Sequence, residues 1–144
     1  MTEKTLSLSL KNLLVPSKDS VIEFPGLPGF KVSLKYLTRD ALIKLREKAT
    51  SQKFKAGRAA EEEVNQDLFV QLYADAAITN WEGLKLKYLL ELAPVDLGTV
   101  DQEDFLAYTQ ENALFLMRNS SAFDSWVSNT VSDLANFQSN SASK

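Results

Sequence analysis

Hydrophobic and polar residues alternate in two short segments near the start of the chain, residues 5–10 and 30–36. Residues 5–10 read T-L-S-L-S-L, which predicts a strand with its three leucines on one face. Residues 21–24 and 30–36 are two more predicted strands, and the sequence P-G-L-P-G between them is typical of a tight hairpin loop. Three short strands make a minimal sheet, so we expect helices to cover its apolar face.

From residue 38 onward, apolar residues recur at helical spacing. The capping residues Thr38, Asp101 and Ser120, an acidic first turn and a proline stop predict five helices, at about residues 38–51, 61–80, 85–92, 101–116 and 120–137. The segment W-E-G-L after the second helix is expected to be a turn anchored by its indole.

These patterns predict an α+β fold in which helices predominate. A small N-terminal antiparallel sheet or hairpin (1–37) is followed by a bundle of four to five helices (38–137), and both belong to one domain, 1–137. Residues 138–144 are polar and small, so we expect a disordered tail there.

The chain contains neither cysteine nor histidine. This removes disulfides, reactive thiols, Cys/His metal sites and imidazole general bases together. The acidic residues at 96–104 lack the spacing of a calcium loop. The triplet at 61–63 could in principle hold a divalent cation, but helix starts account for both acidic segments better. We therefore expect a binding protein that is not an enzyme, with no catalytic residues, no cofactor and no metal.

Charge is distributed unevenly along the chain. Up to Arg58, 12 Lys/Arg and 5 Asp/Glu give +7, whereas from Ala59 onward 4 Lys/Arg and 14 Asp/Glu give −10, and the two sums recover the net −3. Two interpretations stay open. The asymmetry steers a partner or a second copy of the chain, or the two halves neutralise each other in the fold.

The predicted first helix has a cationic face, and a loose basic segment follows it. We hypothesise that these residues bind an acidic surface of a protein partner, and the simpler alternative is a solvated helix face. The candidate residues are Arg39, Lys44, Arg46, Lys48, Lys53, Phe54 and Lys55.

Two stretches of the chain, taken together, are similar to a known family. The first is VIEFPGLPGFKVSLKYLTRDALIKLREKAT, and the second is ITNWEGLKLKYLLELAPVDLG with QENALFLMRNSSAFDSWVSNTVSDLANF after it. Together they resemble tail assembly chaperones of long-tailed, siphovirus-like bacteriophages over about residues 21–137. The resemblance rests on the order and spacing of segments, and it fixes no functional residue.

The resemblance implies a protein that binds the long tape measure protein, keeps it soluble and helps recruit tail-tube subunits during tail assembly. It implies location in the host cytoplasm and absence from the mature virion, and the N-terminus, which lacks a signal sequence, favours the cytoplasm as well. The expected partners are the tape measure protein, the major tail-tube protein and a second copy of the chain, with no nucleic acid and no membrane. The alternatives are a structural tail or head-tail connector component and, ranked lower, a nucleic-acid-binding protein.

Overall fold

A computed structural model describes residues 3–14, 18–53 and 61–138. A three-stranded antiparallel sheet has the order β1-β2-β5, and β3 and β4 form a separate hairpin. The strands are β1 (Asp19–Glu23), β2 (Lys31–Lys35), β3 (Thr50–Lys53), β4 (Glu61–Val64) and β5 (Ile78–Glu82). The described helices are α1 (Arg39–Lys48), α2 (Gln66–Ala77), α3 (Leu89–Leu92), α4 (Gln110–Asn119) and α5 (Ser121–Val131). The predicted α+β class with a helical majority is confirmed.

The predicted N-terminal hairpin is confirmed in β1 and β2. Its register places Asp19 opposite Lys35 and Glu23 opposite Lys31. In the connecting loop Gly29 has a φ of 86°, which glycine adopts without steric cost, and its N–H donates to the Glu23 carboxylate at 2.9 Å. The turn is therefore determined locally, by the loop glycine and by Glu23 at the end of β1.

The third strand of the sheet is β5, a segment predicted as a helix end and a turn. Its two buried residues, Ile78 and Trp81, are three positions apart, which imitates helical spacing. A β-bulge is the reason: Asn80 lies opposite Ser33 and Ile78 lies opposite the next residue of β2, so Thr79 is left without a counterpart. Both buried side chains therefore face the core from one strand.

The predicted strand at residues 5–10 is wrong. This segment belongs to an N-terminal arm, residues 3–14, whose regular structure is limited to a 3₁₀ turn over Leu10–Asn12. Leu6, Leu8 and Leu10 are 66%, 62% and 80% exposed. An alternating pattern forms a strand only where a second backbone pairs with it, and within the described residues the arm pairs with none.

The second helix begins later than predicted. Glu61–Val64 forms β4, where the backbone of Glu61 pairs with that of Lys53. Asn65 then caps α2, because its side-chain oxygen accepts the Leu68 N–H at 3.0 Å. The negative charge of residues 61–63 is favourable at a helix N-terminus, but backbone pairing with β3 makes this segment a strand.

The fourth helix also begins later than predicted, whereas the last one begins as expected. Asp101 caps a turn instead of a helix, since its carboxylate accepts the Glu103 N–H at 2.9 Å. The cap of α4 is Thr109, whose hydroxyl accepts the Asn112 N–H at 3.0 Å. Ser120 caps α5 as predicted, although this helix ends at its eleventh residue and a 3₁₀ turn follows.

Aromatic side chains from the hairpin and α5 form the centre of the core. Phe30 and Phe123 are fully buried with ring centroids 6.4 Å apart, and Phe24 lies 6.1 Å from Phe123. Trp81 meets Phe30 edge-on at 6.1 Å, and its indole N–H donates to the Leu106 carbonyl at 3.0 Å. The predicted role of Trp81 as a core anchor is confirmed, and the ring contacts hold the sheet against α5.

Several apolar residues whose helical spacing in the sequence predicts core-facing positions are exposed instead. Leu90 is 50% exposed, Phe105 62% and Phe115 43%. Helix α2 buries Ala74 and Ala77. Leu68, Leu72 and Ala76, whose spacing of four residues predicts an apolar stripe facing the core, stay at least partly accessible. The buried face of α2 consists of small residues, which allow the helix to pack closely on its neighbours. The sequence pattern, in contrast, favoured the larger leucines as the buried residues.

Candidate partner-binding groove

Helix α1 carries the four cationic residues that were expected to share one face, and it lies at the periphery of the molecule. Its predicted cap is confirmed, because the Thr38 hydroxyl accepts the Ala41 N–H at 3.0 Å. The helix ends at Lys48, earlier than expected, since the chain enters β3 at Thr50. None of the ten α1 residues is buried, so most of the helix surface is available to a partner.

The structure divides the four predicted α1 residues between two sides of the helix. Arg39 and Arg46 line a groove between α1, α2 and α5. Lys44 lies elsewhere and forms an exposed ion pair with Asp40, with 3.2 Å between the ammonium nitrogen and a carboxylate oxygen. Lys48 is exposed in the last turn, one turn beyond Lys44 on the same side.

The basic segment after α1 begins in a strand instead of the predicted loose connection. Lys53 is the last residue of β3, and its backbone pairs with that of Glu61. Phe54 and Lys55 lie outside the described residues. The proposed role of these three residues in partner binding stays a prediction.

The groove has an apolar floor and a cationic rim, and its volume is about 340 Å³. Ile43 is 47% exposed and lies between Arg39 and Arg46, at a spacing of four and three residues that places all three on one helix face. The Arg46 guanidinium carbon lies 5.1 Å from the centre of the Phe69 ring, which is a cation–π contact. This contact holds the arginine over the floor, which Phe69 and Tyr73 of α2 provide.

A second cavity of about 130 Å³ shares Phe69, Tyr73 and Ser128 with the groove and adds Met117 and Asp124. Burial raises the pKa of the Tyr73 phenol, and the negative charge of Asp124 raises it further, while a hydrogen bond with Ser128 lowers it. Tyr73 is therefore neutral at physiological pH. The floor combines aromatic surface with hydroxyl groups that can donate hydrogen bonds.

The sequence predicted the arginines of this groove and missed its floor. Phe69 and Tyr73 are four residues apart on α2, a spacing that by itself predicts a broad stripe facing the core. The spacing alone does not distinguish a core stripe from the floor of a groove, because that depends on where the neighbouring helix lies. The contribution of Ser128 from α5 had no sequence signal.

A protein-family model described as YdaY prophage protein matches residues 35–144, a region that includes all five α-helices and the groove. The chain belongs to the YdaY prophage protein family. The bacteriophage origin implied by the sequence resemblance is confirmed for this YdaY family member, while a role in tail assembly is a finer statement than the family gives. Neither a curated protein nor a solved structure matches the chain. Within the described part of this YdaY protein, no helix has the length and apolar character needed to span a membrane.

Proposed function

We propose that this YdaY family protein is a tail assembly chaperone that binds the tape measure protein, keeps it soluble and helps recruit tail-tube subunits. Its membership of a prophage family supports the proposal, as does the resemblance of residues 21–137 to such chaperones. In this proposal the protein acts by binding alone, in the host cytoplasm, and leaves before the virion is complete.

The observation that carries the proposal is the groove between α1, α2 and α5. Amphipathic helices bind in hydrophobic grooves through apolar side chains spaced three and four residues apart. Ile43 and Phe69 offer apolar surface for such a stripe, and Arg39 and Arg46 are placed to pair with acidic residues beside it. A tape measure helix bound in this way can no longer self-associate through the same stripe, and this keeps it soluble.

Charge reversal on α1 tests the groove against a matched control. R39E/R46E reverses both groove arginines, whereas K44E/K48E reverses the same amount of charge on the other side of the same helix. We expect R39E/R46E to weaken capture of tape measure fragments by about tenfold or more, which corresponds to ~1.4 kcal/mol. K44E/K48E should leave capture nearly unchanged. The measurement is pull-down of co-expressed fragments, with the soluble fraction of each fragment quantified.

Other outcomes would contradict the proposal at different levels. An equal loss in both variants would assign capture to net charge instead of the groove. Undiminished capture by R39E/R46E at low salt would exclude the groove arginines from the interface. If the wild-type chain does not raise the solubility of the tape measure protein, the chaperone function is rejected. Detection of the protein in purified virions at the level of a tail component would favour the structural alternative.

A further inference from the structure

The N-terminal arm exposes a series of leucines that the groove does not explain. All five are more than half exposed, and they are Leu6, Leu8, Leu10, Leu13 and Leu14. Five exposed leucines within nine residues concentrate apolar surface on a short segment, and exposed apolar surface of this kind marks interaction sites. The arm therefore needs a complementary apolar surface.

A cavity of about 530 Å³ lies where the arm joins the body of the protein. Tyr36 after β2, Ala41 of α1, Ala76 of α2 and Leu134 of the C-terminal turn give it largely apolar walls. Its volume is within the range of cavities that enclose a bound group of drug size, so it has room for several leucine side chains. The apolar walls match the chemistry of the arm.

The geometry of the arm points to the cavity of a second copy. Leu13 and Leu14 already line the cavity of their own chain, whereas Leu10 is 80% exposed at the 3₁₀ turn that precedes them. At about 3.3 Å per extended residue from Leu6 to Leu10 and about 2 Å per residue through the 3₁₀ turn to Leu13, this part of the arm spans roughly 19 Å, enough to reach a neighbouring molecule. An arm and a cavity on the same chain also form a self-complementary pair, as two-fold symmetry requires.

We propose that two copies of the chain exchange their N-terminal arms, so that Leu6, Leu8 and Leu10 of each copy fill the cavity of the other. Three leucines from each copy and the walls that receive them bury on the order of 1,000 Å², the lower limit for a specific interface. The dimer therefore dissociates on dilution. The cavity adjoins Ala41 of α1 and the N-cap Thr38 before it, on a different side of the helix from the arginine groove, so the exchange leaves the groove open to the client.

Sedimentation equilibrium of the full chain tests the dimer. We expect the wild-type chain to dimerise with rising concentration and L6S/L8S/L10S to remain monomeric. The control L90S/F105S removes exposed apolar side chains elsewhere and should dimerise like the wild type. All substituted residues are exposed, so the circular dichroism spectra should coincide. The proposal is overturned if the wild-type chain stays monomeric at millimolar concentration. It is also overturned if the L90S/F105S control stays monomeric, as the triple variant is expected to do.

Engineered cysteines test where the arm goes, because the chain has no cysteine of its own. S7C places a thiol on the arm and K18C places one at the cavity. When the two single variants are mixed and oxidised, we expect the mixed S7C–K18C disulfide to form well above the level of random pairing. Random pairing alone overturns the exchange. An internally closed monomer as the main product of the S7C/K18C double variant overturns it as well, since the arm would then occupy its own cavity.

Discussion

Gly83 shows how a single residue joins two segments that are distant in the sequence. It follows β5 with a φ of 73°, a conformation that side chains other than glycine rarely adopt. A Cβ atom at this position would lie 1.9 Å from the Gly29 carbonyl oxygen in the hairpin loop. The turn after β5 and the loop between β1 and β2 are therefore packed backbone against backbone, and the glycine is required by both conformation and space.

Gly83→Ala is expected to destabilise the fold much more than Gly98→Ala. Gly98 also has a positive φ, 59°, but no described atom lies within 4 Å of a Cβ built there, so only the conformational cost of about 1–2 kcal/mol applies. At Gly83 the loop must also move away, which adds about 1–3 kcal/mol. Urea unfolding of both variants measures the difference. Equal losses of unfolding free energy would show that the hairpin loop accommodates the methyl group without cost.

At the scale of elements, those fixed by local chemistry were predictable. The β1–β2 hairpin followed from its P-G-L-P-G loop, and the starts of α1 and α5 followed from the caps Thr38 and Ser120. Elements that depend on a distant partner were not. β5 contains a bulge that hides its alternation, and β4 is a strand because β3 pairs with it. The arm alternates like a strand and has no described backbone to pair with.

The same distinction applies to the candidate site. The cationic residues of α1 could be predicted from the sequence because all four lie within one predicted helix. Which of these residues lie at the groove could not be predicted, because the groove is formed by residues of α1, α2 and α5 together. Arg46 is placed over Phe69, while Lys44 pairs within its own helix. Tertiary packing therefore places two residues of the predicted set, Arg39 and Arg46, at the groove.

Helix α1 is expected to open locally at a lower free energy than α5. None of its ten residues is buried, and cavities adjoin it on two sides, whereas α5 buries Phe123, Val127, Thr130 and Val131. Few buried contacts mean a low cost of local opening. In native-state hydrogen exchange measured by NMR, we expect the α1 amides to exchange about 100-fold faster than the slowest α5 amides, or ~2.7 kcal/mol less protection. Equal protection in both helices would contradict this.

At the scale of the whole molecule, the fold neutralises part of the charge asymmetry. Lys31 of the basic half lies opposite Glu82 of the acidic half on one side and opposite Glu23 on the other, and Lys35 lies opposite Asp19. Opposite charges across strands stabilise a sheet by about 0.2–1 kcal/mol each. Of these three pairs only Lys31 with Glu82 joins the two halves, because Asp19 and Glu23 belong to the basic half themselves, and Arg39 and Arg46 remain exposed at the groove.

We therefore expect salt to weaken client binding only partly, by screening the charges of the two groove arginines. Raising the ionic strength from about 0.1 M to 1 M shortens the Debye length from ~10 Å to ~3 Å, which screens exposed ion pairs and leaves apolar contacts in place. We expect the wild-type chain to lose about tenfold in affinity for a tape measure fragment over this range, measured by calorimetric titration. R39Q/R46Q should bind more weakly at 0.1 M and show little further loss, because the screened charges are already gone. If both chains lost affinity with the same slope, the salt effect would come from the field of the remaining charges, and the arginines of the groove would have no special part in binding.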